Sequence, residues 1–128
     1  MSDHSSIAVA IATEVRAGRT PAKVVTESMR QGDLVLRRMG DCEADAPSAP
    51  EEGVLLIAGA HGEHRLMAAQ ADWDPATGAL ALPVGGLIVH TDAPHARHGA
   101  GLLIPGLWHA GRQRELGLTD AISVPVKD

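Results

Sequence analysis

The sequence predicts a mainly β protein: a small β-barrel or sandwich preceded by two short N-terminal helices. Three observations carry this expectation. From Asp33 onward the apolar residues fall in short runs (Leu34-Val35-Leu36, Val54 to Ile57, Leu87 to Val89, Leu102 to Ile104, Ile122 to Val126), too short for helices. Glycine and proline, 14 and 8 of the 128 residues, punctuate those runs. Before Asp33 the apolar residues recur at helical spacing instead. The expected organisation is a helical pair over residues 1–31 and a β domain over 32–128. A chain of this length holds one core and buries roughly two-thirds of its unfolded surface, so it needs no disulfide or metal merely to fold.

The first helix is expected over residues 5–17. Ser5 or Ser6 caps it, Ile7, Ile11 and Val15 share one face, and Gly18 ends it. Thr20-Pro21 reads as a second start, with Thr at the N-cap and Pro at the first helical position. Val24, Val25 and Met29 form the apolar side of this second helix, and Gly32 closes it. Two short helices joined by a tight turn also fit a helix-turn-helix. Ala and Val fill both, however, and only Arg16, Arg19, Lys23 and Arg30 are basic, so capping a sheet or packing against a second copy is the preferred reading.

In the β region, residues 41–52 have loop composition and Val54 to Ile57 reads as a core strand. Residues 64–71 return antiparallel. A turn spans 72–78, Leu80 and Leu82 alternate with Ala, and Pro83 to Gly86 is either a hairpin turn or a kink in a longer strand. Strands at 87–89, 102–104, 107–115 and 122–126 complete seven or eight. With no Phe and no Tyr, the core must be Leu, Ile, Val and Ala, anchored by Trp73 and Trp108.

Composition excludes several functions. Stacking platforms for single-stranded nucleic acid need aromatic faces, and only 2% of this chain is aromatic. The net charge of −5 argues against a DNA-backbone binder. Residues 41–75 carry eight acids against Arg65 alone, the pattern of a solvated loop. Cys42 is the only cysteine, and its acidic neighbours Asp41 and Glu43 disfavour the thiolate. No stretch approaches the ~20 apolar residues that span a bilayer, and no signal-peptide pattern opens the chain. A cytoplasmic protein without nucleic-acid or membrane partners is expected.

The chemistry lies in the histidines. Six of the seven fall between His61 and His109. His61-Gly-Glu-His64 and His95-Ala-Arg-His98 are both His-x-x-His pairs in Gly- or Pro-marked connections, and His90 and His109 flank strands. Neutral imidazole is a common ligand of divalent metals. Two such pairs supply four ligands if they converge, and solvated loop histidines are the competing reading. A hairpin at 83–86, which the sequence slightly favours, would put the pairs at opposite ends of a meander; a kink would put them at the same end.

Two resemblances bear on the site. Gly99-Ala-Gly101-Leu-Leu-Ile-Pro105-Gly106-Leu-Trp108-His109 resembles the second motif of cupins, small barrels that bind a divalent metal through three His and a carboxylate. It implies a ligand role for His109, with His61, Glu63 or His64 as partners. The His-x-His of the first cupin motif is absent. The order of Gln31-Gly32-Asp33-Leu34-Val35-Leu36, the His61/His64 stretch, the His95/His98 pair, Leu103-Ile104-Pro105-Gly106 and Arg112-Gln113-Arg114-Glu115 is similar to a family of small uncharacterised bacterial and phage proteins. That likeness, over roughly residues 31–116, points to His64, His98, Arg112 and Glu115.

On a strand, Arg112 and Arg114 share a face with Trp108, while Gln113 and Glu115 share the other with His109. The first face suits an anionic ligand, and the second suits metal binding or proton transfer. The competing reading is a solvated edge with weak ion pairs. No phosphate loop, nucleophile elbow or His-Glu-x-x-His helix is present. The leading expectation is a His-lined β-barrel that binds a divalent metal (Zn, Fe, Mn or Ni) through His61, His64, His95, His98 and His109, with Arg112, Arg114 and Glu115 at a ligand site; catalysis is left open. The rival is a non-enzymatic interaction or assembly protein, acting as a homo-oligomer or through a protein partner.

Overall fold

A computed structural model of the chain describes residues 3–59, 62–91 and 100–112. His61, His95, His98, Arg114, Glu115 and the strand expected at 122–126 lie outside the described residues. Within them, one helix, α1 (Asp3–Arg16), precedes ten strands: β1 (Lys23–Val25), β2 (Ser28–Gln31), β3 (Leu34–Gly40), β4 (Val54–Gly59), β5 (Gly62–Met67), β6 (Asp72–Asp74), β7 (Ala79–Leu82), β8 (Gly86–His90), β9 (Gly101–Leu103) and β10 (Gly106–Arg112).

The helix starts earlier than expected, so Ser5 and Ser6 lie inside it. It ends as expected, at Gly18, whose φ of 79° lets the backbone turn back and donate to the Val15 carbonyl. The second expected helix, over 20–31, is not there, because that segment forms β1 and β2. Val24 and Val25 are β-branched, and Ser28-Met29-Arg30-Gln31 alternates between exposed and buried positions. Gly32 does not close a helix. With Asp33 it makes the two-residue turn between β2 and β3, pairing Gln31 with Leu34. Positive φ at Gly32 alone is the pattern of a type II′ turn.

The strands form two five-stranded sheets, ordered β1-β9-β8-β5-β4 and β2-β3-β10-β7-β6. This is a sandwich and not the closed barrel. The chain makes a hairpin in one sheet and then crosses to the other. Residues 83–85 make one such crossing, so they are neither the hairpin turn nor the kink. Gly85, at φ 79°, approaches the Leu103 carbonyl so closely that a Cβ would stand 2.6 Å from it.

Leu34, Leu36, Leu66, Leu80, Leu82, Ile88, Leu103 and Trp108 fill the space between the sheets. Trp108 is fully buried and donates its indole N–H to the Ile104 carbonyl at 3.0 Å. The outer face of the first sheet is covered by α1, where Ala8, Ile11 and Ala12 pack on Met67, Leu87 and Val89. The outer face of the second sheet carries no helix among the described residues. None of the described helices is long and apolar enough to cross a membrane.

One feature of the register positions the site. β5 and β8 are antiparallel neighbours, with His64 opposite His90. Thr91 N–H donates to the Glu63 carbonyl at 3.0 Å, and Glu63 N–H donates to Thr91 Oγ1 at 2.9 Å. The chain therefore enters β5 and leaves β8 at the same end of the sheet, not at opposite ends as a meander would have it.

Candidate functional site

Both faces of β5 are buried, one by the sandwich core and the other by α1. His64 shares parity with Leu66, so it points inward between the sheets and is only 4% exposed. His90 shares parity with Ile88 and points the same way. The two rings stack with centroids 4.3 Å apart and planes 6° from parallel.

The opposite sheet supplies the partner that orients His64. Gln31 Nε2 donates to the Ile88 carbonyl at 3.5 Å, which turns Gln31 Oε1 toward His64 Nδ1 at 2.8 Å. An amide oxygen only accepts, so Nδ1 carries the proton and Nε2 carries the ring's lone pair. The β2–β3 turn closes over the ring. A Cβ on Gly32 would stand 3.3 Å from His64 Cε1 and 3.5 Å from Nε2, so glycine is needed here both for its positive φ and for its lack of bulk.

Burial first, then the neighbouring His90 imidazole, lowers the His64 pKa from 6.5 to about 4. The Asp33 carboxylate acts in the opposite sense and the Arg112 guanidinium again lowers it. His64 is therefore neutral at pH 7. Arg112, at the end of β10, donates from Nη1 to Asp33 Oδ2 at 3.4 Å and from Nη2 to the Ala58 carbonyl at 3.3 Å. It ties the β2–β3 turn to β4 at the same end of the sandwich.

The other expected residues are placed differently. Glu63 has the opposite parity to His64, and its carboxylate accepts from Arg65 Nε at 2.7 Å on the far face of β5. His109 alternates with the inward-facing Trp108 and Ala110, so it lies on the outer face of the second sheet, against Gly78. His64 and His109 are thus on opposite sides of a sheet and are not brought together. Of the expected site residues, His64 and Arg112 share one end of the sandwich. Gln31, Asp33 and His90, absent from the expected site, complete that cluster. Alternation was the available signal for Gln31 and His90, since each follows an inward residue by two, Met29 and Ile88.

Among the described residues no group of three or more His, Cys, Asp or Glu gathers to hold a metal. Imidazole lone pairs lie in the ring plane, so the nearly parallel rings of His64 and His90 aim side by side and not at one point. No family model, no curated protein and no solved structure matches the chain.

Proposed function

We propose that this is a small β-sandwich protein that binds a divalent metal at the end where His64 lies. His64 Nε2 acts as one ligand, and His61, His95 and His98 supply the others. The observation that carries the reading is the 2.8 Å bond from His64 Nδ1 to Gln31 Oε1. A ligating histidine typically donates its second N–H to an oxygen that fixes tautomer and orientation. Here the amide does this for a neutral ring, so a metal need displace no proton from it. Sequence and register add to this. His61 stands one residue before β5, and His95 and His98 follow β8, whose end lies beside the start of β5. Imidazole donors suit Zn, Fe or Ni better than Mn. Binding alone is proposed, because the chain carries no nucleophile motif that would commit it to a reaction.

The test is elemental analysis of the purified protein with thermal unfolding in chelator. One metal per chain is expected, lost in a His64→Ala, His98→Ala double variant. Absence of stoichiometric metal, with unfolding indifferent to chelator, sinks the proposal.

A further inference from the structure

Among the described residues nothing covers the outer face of the second sheet, and it carries an ordered charge pattern. Its rows follow from the register. Arg37 on β3 is opposite Ser28 on β2 and His109 on β10, and the row continues through Ala79 on β7 to Asp74 on β6. The next row on one side runs from Leu107 through Ala81 to Asp72, beside Met39. The next on the other side runs from Arg30 through Val35 to Gly111. The basic residues Arg30 and Arg37 thus lie on the β2–β3 side and the acidic residues Asp72 and Asp74 on the β6 edge. Between them lie His109 and otherwise small or apolar residues, with Met39 and Leu107 exposed at 65% and 41%. Among the described residues, Arg30 and Arg37 make no ion pair.

We infer that this face binds a second copy of the same chain, with the two-fold axis running parallel to β10, the central strand. The geometry selects that axis. Two sheets stacked face to face can be related by a two-fold parallel to their strands or by one across them. Rotation about an axis along β10 exchanges the two edges and keeps the rows, so each copy's Arg37 passes beside the other's Asp74, with Arg30 one row to one side and Asp72 one row to the other. Rotation about the crossing axis keeps the edges in place and sets arginine over arginine. Charge complementarity therefore favours the first arrangement and opposes the second. It also stacks Leu107 and His109 each against its own copy and removes Met39 from water.

Five strands ~4.8 Å apart, holding 4, 7, 7, 4 and 3 residues at ~3.4 Å each, give a footprint of roughly 400 Å² per copy. The pair then buries roughly 800 Å², the size of a weak, transient contact. The dimer is accordingly reversible. It is independent of the His64 site, which lies on the inner face.

The experiment is analytical ultracentrifugation of the full chain with chelator present, which removes any metal bridge, from micromolar to millimolar concentration. Three variants are compared: Arg30→Glu with Arg37→Glu; Asp72→Lys with Asp74→Asn, which keeps a side-chain acceptor for the Ala76 N–H; and all four together. Circular dichroism checks that each is folded. The expected result is a wild-type dimer, a rise of about tenfold or more in dissociation constant for each charge variant, and recovery in the combined one. A monomer throughout, a larger assembly, a dimer indifferent to both charge changes, or folded variants without recovery overturns the inference.

Discussion

Lowering the pH from neutrality to about 4 forces a choice on His64. In the unfolded chain its imidazole takes up a proton near pH 6.5, whereas in the folded chain it resists until about 4. Between those values the unfolded state binds more protons, so stability is complete above 6.5 and falls as the pH drops toward 4. The interval is about 2.5 units, and at 1.36 kcal/mol per unit the loss is about 3 kcal/mol. Because His64 is 4% exposed, solvent screens little of this. The comparison is with His64→Asn, whose amide N–H reproduces the Nδ1 donor to Gln31 and does not titrate. Urea unfolding of both proteins stripped of metal, at a series of pH values, isolates the His64 contribution as the difference in slope. The variant is expected to be flatter by about 3 kcal/mol between pH 6.5 and 4. Equal slopes, or an NMR titration of His64 centred near 6.5, would refute the reasoning.

Three further outcomes follow from the same geometry. Gly32→Ala should cost about 1–2 kcal/mol in urea unfolding from the left-handed backbone alone, and more where the new methyl meets the His64 ring. Trp108→Ala should cost about 3–5 kcal/mol, because it empties the largest buried volume and removes the donor to the Ile104 carbonyl. Arg112→Gln should change stability by less than about 1 kcal/mol, since the Asp33 pair is open to solvent, yet it should move the His64 titration upward by removing a cation beside the ring.

Much of the fold is written locally. The stop of α1 at Gly18, the core strands over 54–57 and 87–89, the loop after Gly40 and the anchoring role of Trp108 each follow from residue type and short-range pattern. The segment 23–31 shows where local pattern fails. Val24, Val25 and Met29 satisfy helical spacing as well as they satisfy two short strands, and a three- or four-residue strand holds too few positions for its period to assert itself. The Gly32-Asp33 pair was the better guide, because a Gly-Asp couple between two runs favours a hairpin. The crossing at 83–85 was hidden for a different reason. A hairpin turn and a sheet-to-sheet corner both use a glycine at positive φ, and only the distant partners β10 and β5 decide between them.

The site was legible to a similar degree. Histidine content drew attention to His64, and alternation from Trp108 separates His109 from Arg112. What could not be read was the face to which each parity belongs, because β5 is buried on both sides and shows no polar–apolar contrast. The pairing of Gln31 with His64 spans 33 residues and two sheets, so no local spacing announces it.

The central claim is that His64 offers a metal its Nε2 lone pair while Gln31 holds Nδ1–H. The most direct measurement is histidine nitrogen NMR of the chelator-stripped protein during zinc titration, with His109→Ala as a parallel sample. The account predicts that the His64 Nε2 resonance shifts and saturates at one zinc per chain, that Nδ1 remains protonated, and that His109→Ala behaves as wild type. A His64 spectrum unmoved by zinc, or saturation that disappears in His109→Ala, would contradict it.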